Sequence, residues 1–299
     1  MPVTKPKPRL TKEEWRARRQ ERREKQRHEN VGRAAKMHVA RLTWEKNNQT
    51  SAIDSVPKKL EVHVGCSGWF YWDWRGAFYP SDLPTNRWFS RYVRAFKTVE
   101  LNAPFYAWPT VGTVQGWKRQ IGRSRFVYTV KASELITHVK QFSGTKTLVR
   151  DFGHIADLLG PSMGCLLFQL PPSFHYSASR LNRIVAQLDP RRRNVVEFRH
   201  RSWWNDKVYD AFKAAGIMFC SCSGPKLPDE LIKTTDELYL RFHGLKQWYR
   251  YDYTAEELAI WVGRIRASKA KRVWAYFNND RNGYAIKNAR EFLRQLRSR

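Results

Sequence analysis

The feature that most constrains this chain is a repeated run-out, in which short apolar stretches end in charged or amide side chains. They read TVELN (98–102), FVYTVK (126–131), LLFQLP (166–171), NVVEFRH (194–200), YLRFHG (239–244) and WAYFNND (274–280). A strand alternates its side chains between two faces, so residues two apart share a face. Buried strands rarely end in ionisable groups unless those groups have partners or a task. The apolar runs predict strands at 61–66, 98–101, 126–131, 164–170, 194–199, 217–221, 237–243 and 272–278. Helical periodicity predicts helices at 85–96, 111–121, 145–159, 178–188, 203–215, 254–268 and 283–297. The stretch 222–236 is rich in proline and glycine and predicts no long helix. Eight strands alternating with helices over roughly 240 residues predict an α/β fold, a (β/α)8 TIM-like barrel. A doubly wound open sheet is the alternative. No GxGxxG or GxxxxGK stretch supports a nucleotide-binding sheet.

Residues 1–57 differ from the rest and read as a basic, partly helical arm and linker, with the barrel filling 58–299. Residues 1–9 alternate proline with cations and are expected to be disordered. Thr11 and Glu14 form the pattern of a capping box that starts a helix, expected to break near Gly32 and resume. Its first part carries only Trp15 and Ala17 as apolar residues, so it has no stripe to dock on a core. Residues 47–57 read as a linker. The chain has 55 Lys and Arg against 27 Asp and Glu, a formal charge of +28. Such a field draws polyanions, so nucleic acid, DNA or RNA, is the first partner to consider and an anionic membrane surface the second, and nucleic acid is the one expected. No apolar run approaches the length of a membrane span, and no membrane partner is expected. The four cysteines have no CxxC spacing and point to a reducing, cytoplasmic setting.

In such a barrel, chemistry sits at the carboxyl ends of the strands. Those ends supply Glu100 with Asn102, Lys131, Gln169, Glu197 with Arg199, Arg241 with His243, and Asn278 with Asp280. Each pair is spaced by two, so both members can face the mouth. Charges at that depth need partners, and Glu197–Arg199 and Glu100 with Lys131 or Arg241 are the expected pairs. The plain alternative is a salt-bridge plug. Three cations over one opening suit an anionic ligand, a phosphate or a carboxylate. Glu100, Glu197 and Asp280 with His200 and His243 are also donors of the type that hold a divalent metal, and that reading stays open here. His200 falls on the opposite strand face from Glu197, where packing is the default role. After the first strand, Trp69, Phe70, Tyr71, Trp72, Trp74, Phe78 and Tyr79 crowd around Arg75. They form either a packed loop core or a stacking platform for bases or sugars, with Trp69 and Trp74 as candidates.

Taken together, GCSGWFYWDWRGAFYP (65–80), TVELNAPFY (98–106), FVYTVKASELITH (126–138), LLFQLPPSF (166–174), VVEFRHRSW (195–203), YLRFHG (239–244) and YFNNDRNGYAIKNA (276–289) resemble the YecE-like family, domain of unknown function family 72. The resemblance runs from about Leu60 to the last residue and implies a TIM-like barrel related to sugar isomerases and endonuclease-IV-like barrels. It implies motif positions at Glu100, Asn102, Tyr106, Lys131, His138, Gln169, Glu197, Arg199, Trp203, Arg241, His243, Asn278, Asn279 and Asp280. The arm lies outside the family pattern.

Three functions fit these residues. The first is a nucleic-acid-binding barrel whose mouth takes a phosphate or flipped nucleotide and cleaves a phosphodiester or glycosidic bond. There Lys131, Arg199 and Arg241 hold the phosphate, Glu197 or Glu100 is the general base and His243 the general acid. The second is an isomerase or lyase acting on a small sugar phosphate, and the third a non-catalytic RNA-associated binding protein.

Overall fold

The structure, a computed structural model, describes residues 11–50 and 54–298. The disorder expected for residues 1–9, and residues 51–53 of the linker, lie outside that range. Eight parallel strands form one sheet: β1 (Glu61–Cys66), β2 (Thr98–Leu101), β3 (Val127–Lys131), β4 (Met163–Gln169), β5 (Asn194–Glu197), β6 (Met218–Ser223), β7 (Glu237–Phe242) and β8 (Arg272–Phe277). Their order is β1-β8-β7-β6-β5-β4-β3-β2, which curls into the expected TIM-like barrel. Helices α2 (Trp88–Ala95), α3 (Ala103–Tyr106), α4 (Val111–Ile121), α5 (Lys146–Leu159), α6 (Ala178–Val185), α7 (Asp206–Ala215), α8 (Ala255–Ala267) and α9 (Tyr284–Arg297) surround it. No helix joins β6 to β7 among the described residues, as the glycine- and proline-rich stretch there predicts.

Closure at the seam between β1 and β2 uses a side chain in place of a ladder. Tyr92 on α2 inserts its hydroxyl between the strands, where it accepts from the Cys66 N–H at 2.8 Å and donates to the Thr98 carbonyl at 3.1 Å. Gly65 makes this approach possible, because a Cβ there would lie 2.3 Å from the Thr98 oxygen.

The barrel interior is layered by the two-residue period of its strands. On β7 and just beyond it, Glu237, Tyr239, Arg241 and His243 share the inward face. At the amino-terminal base Glu237 takes hydrogen bonds from Arg193, Arg272 and the Trp274 indole. Asp54 and Glu61 complete that ion network. Trp274, Tyr239 and Tyr276 fill the middle with Cys165, Leu167, Cys220 and Cys222. Outward residues such as Leu238, Leu240 and Phe242 join the helices in the apolar shell.

The first helix, α1, runs unbroken from Lys12 to Glu45, through Gly32, after the expected Thr11–Glu14 capping box. The expected break fails because the second half docks. Asn30, Ala34, Met37 and Arg41 are its buried residues, a stripe at helical spacing laid on α5. Asn30 donates to the Tyr106 carbonyl and accepts from the Trp108 N–H, both at 2.8 Å. Arg41 pairs with buried Asp151 at 2.8 Å. Residues 12–25 stay exposed. No helix among the described residues is long and apolar enough to cross a membrane.

Candidate functional site

The strand ends meet in a charged basin whose centre is Arg241, at the end of β7. Its guanidinium is 1% exposed and donates to Glu100 on β2 and Glu197 on β5, each at 2.6 Å. Glu100 also accepts from the Ser67 hydroxyl at 2.7 Å and the Tyr239 hydroxyl at 2.6 Å. Burial alone would raise the Glu197 carboxyl, but Arg199 and Arg241 together hold it well below the usual range. Both carboxylates therefore have charge-assisted partners, as groups at this depth must. The Glu197–Arg199 and Glu100–Arg241 pairs match expectation.

His243 is fully buried beside them. Its Nε2 lies 3.3 Å from Glu197 and 3.0 Å from an Arg199 nitrogen, and its Nδ1 lies 3.1 Å from the Asn278 amide. Burial and the two arginines push its pKa well down, so the ring is neutral. Arg199 in turn covers the Trp248 ring at 4.7 Å.

Lys131, at the end of β3, departs from this pattern. Its ammonium sits 4.1 Å over the Phe105 ring and has no hydrogen bond or ion pair among the described residues. Burial, then Arg241 and Arg199, push it down to about 7. His138, on a short π-helical turn at Leu135–Val139, is pushed down to about 4 by burial and by Lys131. Across the basin Asp280 follows β8. Burial pushes its carboxyl up to about 8, against the opposing pull of the Tyr71 hydroxyl and Arg241. One of its oxygens, Oδ1, is buried without a partner. Lysine and aspartic acid thus both change charge near neutral pH, through opposite effects of the same burial.

The remaining predicted residues divide. Asn102 donates to the Ser67 carbonyl at 3.0 Å across the β1–β2 seam and keeps Oδ1 free, while Gln169 donates to the Leu170 carbonyl. Tyr106 is exposed at the rim. Asn279 is buried and spends its amide on the Tyr251 carbonyl and Asn288, so it shapes the loop. Trp203 is fully buried between Phe174 and Phe198, with its indole donating to the Phe174 carbonyl, and does not reach the mouth. Trp74 is also fully buried, bonded to the Asp280 carbonyl, and Trp69 packs on Phe89, so neither is free to stack on a ligand. His200 stacks on His175 at 3.8 Å, away from the basin. Phe105, Tyr71, Tyr239 and Trp248 were not singled out for roles in the basin. Of these, only Tyr239 had a signal, its two-residue offset from Arg241.

Glu197, Cys222 and His243 present donor atoms within 4.8 Å of one another. That set suits a metal poorly, because guanidinium groups already hold both Glu197 oxygens. All four cysteines are free and buried.

Comparison with known proteins agrees with the architecture. A family model described as "Protein of unknown function DUF72" matches residues 63–299. The UPF0759 protein YunF of Bacillus subtilis (strain 168) is 25% identical over 279 residues, 79% of this chain and 94% of that protein. The crystal structure of a DUF72 family protein from Thermotoga maritima MSB8 superposes with a TM-score of 0.71 at 29% identity, covering 80% of this chain and all (100%) of that one. A DUF72 family protein from Enterococcus faecalis V583, 17% identical, shares the fold with a TM-score of 0.65 over 80% of this chain and 96% of its own.

Proposed function

This chain belongs to the DUF72 family, described as of unknown function, and from its own side chains we propose that it binds nucleic acid and acts on one anionic group held in the basin. The observation that carries this reading is Lys131. Glu100 and Glu197 are balanced by Arg199 and Arg241, His243 is neutral, and one unpaired lysine remains to receive a negative charge. A phosphate or carboxylate there would restore the lysine's charge and its partner together.

Two further features point to a polyanion. The exposed part of α1 presents seven Lys and Arg against four Glu, and its root is clamped by Arg27 to Glu134, at the rim just after β3. Residues 58–299 alone hold 40 of the 55 cations and 20 of the 27 acids, so most of the excess charge lies on the barrel itself. Such a surface follows a phosphate backbone.

For the chemistry, Asp280 is the group suited to give up a proton. Its carboxyl holds the proton to about 8, whereas both ring nitrogens of His243 are engaged and its pKa is depressed. Glu197, locked by two arginines, orients Arg199, Arg241 and His243. The reaction class that fits is cleavage in which an oxygen or nitrogen leaving group is protonated, a phosphodiester or an N-glycosidic bond. The basin alone also suits a small sugar phosphate handled by an isomerase or lyase, and the free arm is what favours the larger substrate.

The test has two halves. Retention of single- and double-stranded DNA and RNA is measured over a salt series for the full chain and for a chain lacking residues 1–22. Affinity should fall steeply with salt, and the deletion should make that slope shallower. Salt-independent retention overturns the binding half. Asp280→Asn and Lys131→Met should each abolish whatever turnover a screen of oligonucleotide substrates reveals, and full activity in either overturns the chemical half.

A further inference from the structure

Only five Trp, Tyr or Phe side chains among the described residues are exposed: Trp15, Phe70, Trp72, Tyr106 and Tyr249, at 56, 53, 60, 53 and 46%. They are not scattered. Phe70 and Trp72 lie in the loop leaving β1, Tyr106 ends the short helix leaving β2, and Tyr249 lies in the loop leaving β7. Trp15 lies on the free stretch of α1, whose root is held at Glu134 just after β3. The strands run β7-β8-β1 with β2 across the seam and β3 next to it. Phe70, Trp72, Tyr106 and Tyr249 therefore follow one arc of the carboxyl-terminal rim, bounded by the strands that end near Asp280 and Lys131, and the helix that carries Trp15 is rooted on the same arc. The loops after β4, β5 and β6 and the amino-terminal face of the barrel carry none.

The core does not explain this arc. An aromatic ring left in water forgoes the burial that the rest of this aromatic-rich chain uses throughout its interior. In the β1 loop the choice is made residue by residue. Trp69, Tyr71 and Trp74 pack inward, while Phe70 and Trp72 stand on buried Trp88, with ring centres 5.0 and 5.2 Å away. The Arg75 guanidinium lies 5.2 Å over the Trp72 ring. Asp73 is the one acid in that turn, between the exposed ring and the arginine. Phe70 and Trp72 make one exposed pair, with ring centres 6.1 Å apart, and Tyr106 and Tyr249 stand on separate loops, so the rings do not form the continuous apolar patch of a protein interface. They match the surface that holds unpaired bases, where each ring stacks on one base and cations track the backbone. In a duplex those base faces are covered.

Resting on the nucleic-acid reading above, we infer that the rim arc of Phe70, Trp72, Tyr106 and Tyr249, continued by Trp15 on the arm, is a stacking track for single-stranded nucleic acid that leads an unpaired nucleotide to the basin. The specificity is for unpaired bases, with DNA and RNA sharing the chemistry.

The test is fluorescence anisotropy with end-labelled oligo(dT), oligo(U) and a matched DNA duplex over a salt series. The full-length chain is compared with Trp72→Ala, Trp72→Phe and the combined Phe70→Ala, Trp72→Ala, Tyr106→Ala, Tyr249→Ala variant. All four positions are exposed, so folding should be retained, and the single variants serve if the combined one is impaired. The intact chain should prefer a single strand. Trp72→Ala should weaken single-strand binding about tenfold, within the range for one stacked base. Trp72→Phe should restore most of it, and the combined variant should lose the preference while keeping the duplex affinity and the salt slope. Single-strand affinity unchanged in the combined and Trp72→Ala variants, or a duplex preference in the intact chain, overturns the track. Absence of salt-dependent binding to any of the three probes overturns the underlying reading instead.

Discussion

Replacing Asp280 with Asn tests the electrostatics of the basin without relying on any substrate. The folded protein holds this carboxyl at about 8, against an ordinary 3.8, because burial disfavours its charged form. A carboxyl raised on folding favours the native state only where the unfolded chain is also protonated. Its contribution is full below pH 3.8 and is lost as pH rises through about 8. Each pH unit between those limits is worth about 1.4 kcal/mol, giving an upper bound near 5–6 kcal/mol. Asp280 is partly exposed, so solvent screens it and about half of that, ~3 kcal/mol, is the working figure. An asparagine carries no such penalty. Urea unfolding of both proteins from pH 4 to pH 9 should show equal stability at the acid end and a growing advantage for Asp280→Asn up to about pH 8. A difference that is flat with pH, or that grows in favour of the natural protein, would show that Asp280 is ionised in the fold and would remove its role as a proton donor.

Two further outcomes follow from the packing. Arg241→Met strips the shared partner from two buried carboxylates and should cost about 3–5 kcal/mol by urea unfolding, with part of the loss recovered when Glu100→Gln is added. Asn30→Ala leaves the Trp108 N–H and the Tyr106 carbonyl unpaired under α1 and should lower stability by about 1–3 kcal/mol, whereas removing residues 1–22 should leave the melting temperature unchanged.

Much of this architecture could be read from the sequence because strand alternation is local. The predicted 111–121 helix coincides with α4, and the predicted 98–101 strand with β2. Glu197–Arg199 and Arg241–His243 point into one basin because a period of two leaves them no other face. The misses have equally local causes. The continuity of α1 was hidden because its docking stripe mixes Ala34 and Met37 with Asn30 and Arg41, and polar members do not register as an apolar face. In the β1 loop a short 3-10 turn at Trp72–Trp74 breaks the alternation, so Trp74 goes in and Trp72 goes out, and of the two readings left open for Trp69 and Trp74 the packed one holds. Trp203 is a motif position implied by family resemblance, yet a one-turn helix after β5 folds it between Phe174 and Phe198, away from the mouth.

The layering of β7 explains why stability and chemistry coexist in so polar an interior. Glu237 at the base is met by Arg193 and Arg272, and Arg241 at the mouth is met by Glu100 and Glu197. Tyr239 and Tyr276 separate the two ion networks, the first donating its hydroxyl to Glu100 and the second bonded to the Thr98 and Thr129 hydroxyls. At the base three acids, Asp54, Glu61 and Glu237, meet Arg193 and Arg272, and no ion pair among the described residues joins that network to the mouth. The mouth differs from the base in one respect. At the base every arginine has an acid within hydrogen-bond reach, whereas at the mouth Lys131 lies over an aromatic ring with no ion pair of its own, in the opposed fields of Arg241 and Arg199 and of Glu197 and Glu100. A barrel needing only a plug would have no use for that surplus cation, because neutral methionine would fill the same space without the repulsion from Arg199 and Arg241. Under the proposed function that surplus is the seat of the anionic group, and Lys131→Met should then weaken anion binding without costing stability.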